Sequence, residues 1–180
     1  LPDQKRERYM RDMGISAYDS SMITTSKKLA EFFDATVEVC GEPKTVSNWV
    51  MGEVSRLLNE DGKEPDDLTV SPKDLGNLIQ LIKSGKISNN IAKTVFEEMY
   101  KTGKGPEAIV LEKGLVQISD SSAILGVIDK VMASNPAQLA DYRSGKDKLF
   151  GFFVGQVMKE MGGKANPSVV NEILKQKLKG

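Results

Sequence analysis

Lys148, Gly151, Gly155, Lys159 and Gly162 recur at intervals of 3, 4, 4 and 3 residues, the spacing that lines positions along one side of a helix. Two lysines then bracket a lane that carries no side chain. The chemistry open to such a lane is electrostatic and steric, not covalent. Glycine inside a helix costs about 0.5–1 kcal/mol relative to alanine, so a pair of them calls for close approach of another backbone. That backbone is either a neighbouring helix of the same domain, met through a Gly-x-x-x-Gly contact, or an anionic polymer resting on the lane. Arg143, Lys146 and Lys164 lie nearby in sequence. The Gly162-Gly163 turn leads to Asn166 at the start of the final helix, where free backbone N–H groups favour an anion. Arg143, Lys146, Lys148, Gly151, Gly155, Lys159 and Lys164 therefore form the candidate phosphate-binding set. Phe150 and Phe153 fall on the apolar side, which leaves Tyr142 and Phe152 as stacking candidates, so recognition by shape and backbone is expected.

Covalent chemistry has few places to start. The chain contains no histidine, which removes the commonest general base and transition-metal ligand together with any Ser-His-Asp or Cys-His arrangement. Its single cysteine, Cys40, sits beside Gly41 at a helix end and reads as a small buried apolar residue. The carboxylate pairs Asp66-Asp67 and Glu97-Glu98 are adjacent in sequence and diverge, so no metal site is expected. Thr102-Gly103-Lys104-Gly105-Pro106 has neither the spacing nor the preceding strand of a phosphate-cradling loop.

The elements that must position the lane are helices. Lys146 to Met161 is expected to be one, with Leu149, Phe153 and Val157 on one apolar stripe and Phe150, Val154 and Met161 on the next. Six of the seven prolines, Pro2, Pro43, Pro72, Pro106, Pro136 and Pro167, each precede a stretch with helical apolar spacing, as residues tolerated in a first helical turn. Ser71, Asn135 and Asn166 read as N-caps in front of three of them, and Ser88 and Ser119 as caps of two further helices. The spacing predicts helices over about 2–13, one or two over 16–40, one over 43–59 with Trp49 as a core anchor, and further ones to the end of the chain. Asp61 to Thr69 is expected to be a surface loop. No stretch alternates as a strand would, so the fold class is all-α.

With 180 residues, 39% hydrophobic and 28% charged, the chain suits one domain or two small ones. The turn residues Thr102 to Pro106 and the apolar, extended Leu115 to Ile118 break helical periodicity. The expected domains are accordingly 1–114, a multi-helix domain, and 115–180, a tail of three or four helices. Net charge is zero, yet residues 143–180 hold eight Lys/Arg against three Asp/Glu, an asymmetry that points to a polyanionic partner for the basic end. The uncharged run Leu149 to Met158 is too short to span a bilayer, and a cytoplasmic protein is expected.

Five stretches together carry a resemblance: LPDQKRERY (1–9), SNWVMGEV (47–54), GKISNNIAKTVFEEM (85–99), EKGLVQISD (112–120) and GKDKLFGFFVGQVMKEMGGKANP (145–167). In order and nearly end to end, they resemble the C-terminal half of the B subunit of aspartyl/glutamyl-tRNA amidotransferases. Ser16, where that family's pattern has proline, is the one departure and affects only a helix start. The resemblance implies a helical domain followed by a tail domain shared with YqeY-like proteins, together forming an arm that holds tRNA(Gln) or tRNA(Asn) near the outer corner by its D-loop. It implies that Leu1 marks where a catalytic domain has been removed. That domain would use ATP and magnesium, with ammonia supplied from glutamine by the A subunit and the C subunit completing a carbon–nitrogen ligase of protein biosynthesis. This chain by itself would then be non-catalytic and hold no cofactor. The alternative function is a helical adaptor that docks on partner subunits without touching RNA.

Overall fold

A computed structural model of the chain describes residues 1–115 and 118–180. It is all-α: among the described residues the one extended pairing is an isolated parallel bridge between Ile118 and Ala165. By contact the chain divides into two compact units, residues 1–84 with 89–114, and residues 85–88 with 115–180. Of the extended segment Leu115 to Ile118, Val116 and Gln117 lie outside the described residues. No described helix is long and apolar enough to cross a membrane.

The first unit begins with α1 (Pro2–Met13), α2 (Ala17–Thr24) and α3 (Lys27–Cys40). Although α1 is densely charged, its Tyr9 is fully buried against Phe33, ring centroids 4.8 Å apart, and its hydroxyl donates to Asp34 at 2.8 Å. Lys5 and Arg8 close on the same carboxylate. Ser16 caps α2 by accepting the Asp19 N–H, so the residue that departs from the family pattern still starts the helix. Cys40 is buried, and burial pushes its thiol up and away from the reactive thiolate.

The long helix expected over 43–59 is α4 (Pro43–Trp49) and α5 (Ser55–Glu60), joined without a break by a π-helical segment, Val50–Val54. The hydroxyl of Ser55 donates to the Val50 carbonyl at 2.7 Å inside that segment. Trp49 packs on Phe96, centroids 5.6 Å apart, and is nearly buried. The expected loop 61–69 contains a one-turn 3₁₀ helix, Pro65–Asp67, so the seventh proline also opens a helical turn. Then come α6 (Pro72–Lys83), α7 (Asn89–Thr102) and α8 (Pro106–Lys113). At Gly76 a Cβ would stand 2.4 Å from Cγ1 of Val39, so α3 and α6 touch where this glycine has no side chain.

The second unit holds α9 (Ser121–Ser134), α10 (Pro136–Arg143), α11 (Leu149–Glu160) and α12 (Pro167–Lys179). Its core is Ile124, Ile128, Val131, Phe153, Val157, Ala165, Val170, Leu174 and Leu178. Phe153 and Val157 supply the expected α11 stripe, and Phe150, Val154 and Met161 pack partly buried beside it. Two caps differ from expectation. Asp120, not Ser119, caps α9 by accepting from Ser122, and the Ser119 hydroxyl instead accepts from the Asn166 amide. Asn135 makes no side-chain cap; its amide donates to the Val131 carbonyl at the end of α9.

Candidate nucleic-acid interface

α11 is shorter at its start than the spacing predicts, because residues 144–148 form a turn around Gly145, whose φ of 116° breaks helical geometry. Lys146 lies in that turn and Lys148 is the helix's N-cap residue. At the other end the chain leaves α11 through a Schellman motif. Gly163 donates to Met158 at 2.8 Å and Gly162 to Lys159 at 3.1 Å, with both glycines at positive φ. The lane is thus bounded by two sharp turns. With about 1.5 Å of rise per residue, the Cα atoms of Lys148 and Lys159 stand about 16 Å apart.

Gly151 and Gly155 are exposed, and a Cβ built on either meets nothing within 4 Å. They therefore serve no packing contact with the described residues, which removes one of the two reasons the sequence left open for them. Lys148, Lys159 and Lys164 have no carboxylate within ion-pair distance among the described residues, and Glu160, next to Lys159, is held by Lys130 at 3.2 Å. The first turns of α11 and α12 contain no acidic residue, so Lys148 and Lys164 add positive charge to the positive ends of two helix dipoles. That arrangement is unfavourable until an anion arrives.

Two of the expected basic residues are partly committed. Arg143 donates its Nε to the Leu178 carbonyl at 3.1 Å and Nη2 to Lys177 at 3.5 Å, closing the C-terminus of α12. Lys146 pairs with Asp141 at 3.5 Å. The anion site expected at the start of α12 is also narrow. Pro167 has no N–H, Asn166 Oδ1 accepts the one from Ser168, and Val170 bonds the Asn166 carbonyl, which leaves at most that of Val169. Of the stacking candidates, Tyr142 sits against Phe150 and Phe152 against Phe153, each partly buried in the core.

What these features define is an all-helical binding module with an open cationic lane on one helix. The chain belongs to the GatB domain family, whose model matches residues 31–178. It is 56% identical over 180 residues to the aspartyl/glutamyl-tRNA(Asn/Gln) amidotransferase B subunit of Geotalea daltonii, covering 100% of this chain and 38% of that protein. The protein of the same name from Geobacter sulfurreducens is 53% identical over 180 residues, and that from Caldicellulosiruptor bescii 50% identical over 181. This chain spans 38% of the length of each. The resemblance carried by the five sequence stretches is borne out.

Proposed function

We propose that this chain is the tRNA-holding arm of an aspartyl/glutamyl-tRNA(Asn/Gln) amidotransferase B subunit, with residues 1–114 and 115–180 as its two domains. One observation carries the reading. Gly151 and Gly155 are open to solvent with no internal contact, between lysines that no carboxylate among the described residues neutralises. A ribose–phosphate backbone fits that lane, because it needs close approach and positive charge without a stacking platform. On this reading Lys148, Lys159 and Lys164 meet phosphates, while Arg143 and Lys146 shape the ends of the site. ATP, magnesium and the glutamine-derived ammonia act in the rest of the B subunit and in the A and C subunits, converting Glu-tRNA(Gln) or Asp-tRNA(Asn) to its amide. The arm contributes by orienting the tRNA, so weakening it raises KM for tRNA more than it lowers kcat.

The test is a titration of this chain with a tRNA(Gln) transcript at about 50 and 200 mM salt, a range over which phosphate contacts lose affinity steeply. Lys148→Glu with Lys159→Glu leaves Phe153 and Val157 untouched. The double variant is expected to keep its helical circular dichroism while affinity falls and the salt slope shrinks by about 0.7–0.9 per lost contact. Unchanged binding by this variant would remove the lane from the RNA surface. Salt-insensitive binding of a partner subunit, lost in Gly155→Leu, would favour the adaptor reading instead.

A further inference from the structure

A second glycine of the same kind lies in the first unit. Gly52, inside the π-helical segment, is exposed, and a Cβ there meets nothing within 4 Å. π-helical segments are costly insertions that recur at functional sites, and no packing contact explains this glycine. It lies in line with exposed Lys44 and Asn48 at four-residue intervals. Across from it α7 presents exposed Asn89 and Lys93, also four apart. The Trp49–Phe96 contact and the 2.7 Å Arg56–Glu97 ion pair hold the two elements together.

Between them runs a cleft of about 380 Å³ lined by Asn48, Trp49, Gly52, Glu53, Asn89 and Lys93. Its charge is decided by Arg56, which takes Glu53 at 2.7 Å as well as Glu60 and Glu97. With the Glu53 carboxylate neutralised, the groups left without a protein partner among the described residues are the Lys93 ammonium and the carboxamides of Asn48 and Asn89. An ammonium suits a phosphate oxygen, and a carboxamide offers both a donor and an acceptor to a ribose hydroxyl. A protein partner would need an apolar or aromatic anchor, but Trp49 is only 7% exposed and the other five lining residues are polar or glycine.

We propose that this cleft is a second ribose–phosphate contact, carried by the first unit and separate from the α11 lane. The proposal rests on the tRNA-arm reading and extends it to residues outside the basic tail. It is tested with the full chain and the tRNA(Gln) transcript by comparing Lys93→Glu, Asn48→Ala with Asn89→Ala, and the Lys148→Glu, Lys159→Glu pair. All the substituted side chains are exposed, and circular dichroism checks the fold of each. Lys93→Glu is expected to weaken binding about tenfold, as loss and reversal of a charge-assisted contact does, and to lower the salt slope by about 0.7–0.9. The asparagine pair should weaken binding with the slope unchanged. Hydroxyl-radical footprints should show each set deprotecting a different stretch of RNA. If the lane variant weakens binding and both cleft variants bind as the parent does, the cleft proposal is wrong and the arm reading stands. If the parent shows no salt-dependent tRNA binding, the arm reading falls and the cleft with it.

Discussion

Gly76 and Gly155 both lie inside helices, yet one has Val39 pressed against the place a side chain would occupy and the other faces empty space. A helix gives up backbone stability for either glycine. In the first unit the return is internal, since α6 sits against α3 at a distance that no larger residue allows. In the second unit it has to be external, since no described residue uses the room at Gly151 or Gly155. The pair shows how the same residue in the same local structure can serve the fold or the surface, and that only the neighbour tells which.

The largest effect that would break this contrast belongs to Gly76. A Cβ there stands 2.4 Å from Cγ1 and 2.6 Å from Cβ of Val39, both near the stiff base of a β-branched side chain, so α3 and α6 must separate. Gly76→Ala is expected to destabilise the first unit by about 1–3 kcal/mol, as overpacking does, outweighing the gain in helix propensity. Urea denaturation followed by Trp49 fluorescence reports this unit, because Trp49 is the chain's sole tryptophan. A midpoint equal to or above the parent's would show that the two helices accommodate the methyl group.

A middle-sized effect separates the units by pH. Burial raises the Tyr9 phenol well above its ordinary value, and the hydrogen bond to Asp34 raises it further. Because the folded state favours the neutral phenol, the resulting stability is full below the unfolded pKa of about 10 and is lost as pH rises beyond it. The urea midpoint seen by Trp49 should therefore fall between about pH 9 and 11 more steeply in the parent than in Tyr9→Phe. That variant gives up about 1 kcal/mol at neutral pH with the bond to Asp34. Parallel pH profiles for the two proteins would show that Tyr9 does not set the alkaline limit.

How much of this is legible in the sequence depends on whether the determinant is local. Six prolines mark helix starts because the missing N–H is a property of the residue and its own turn, and Phe153 and Val157 announce their core face through spacing alone. The π segment is not legible, since one extra residue in a turn barely alters the apolar pattern around Trp49 and Val54. Pro65 opens a 3₁₀ turn too short for any periodicity. Arg143 looks like a free cation in the sequence because the carbonyls it serves are about 35 residues further on. Asn135 looks like a cap by its position before Pro136, whereas it turns back to Val131. For the lane, sequence supplies the glycines and lysines but does not choose between an internal helix and an outside ligand. That choice needs the empty space above Gly151 and Gly155.

The smallest effect is also the sharpest on the contrast, because its sign is opposite. Gly155→Ala places a methyl group where nothing lies within 4 Å, in a helix whose backbone dihedrals alanine adopts without strain. Part of the gain comes from the unfolded chain, which loses conformations it would otherwise sample, and part from helix propensity. The second unit should be stabilised by about 0.5–1 kcal/mol, read as a rise in the helical melting transition, while Gly76→Ala moves the first unit the other way. If the lane carries RNA, that same variant should bind tRNA less tightly despite its firmer fold, because the methyl group lifts the backbone off the lane. Greater stability with undiminished tRNA affinity would mean that close approach at Gly155 is not what the glycine provides. A loss of stability would mean that a neighbour closes over it.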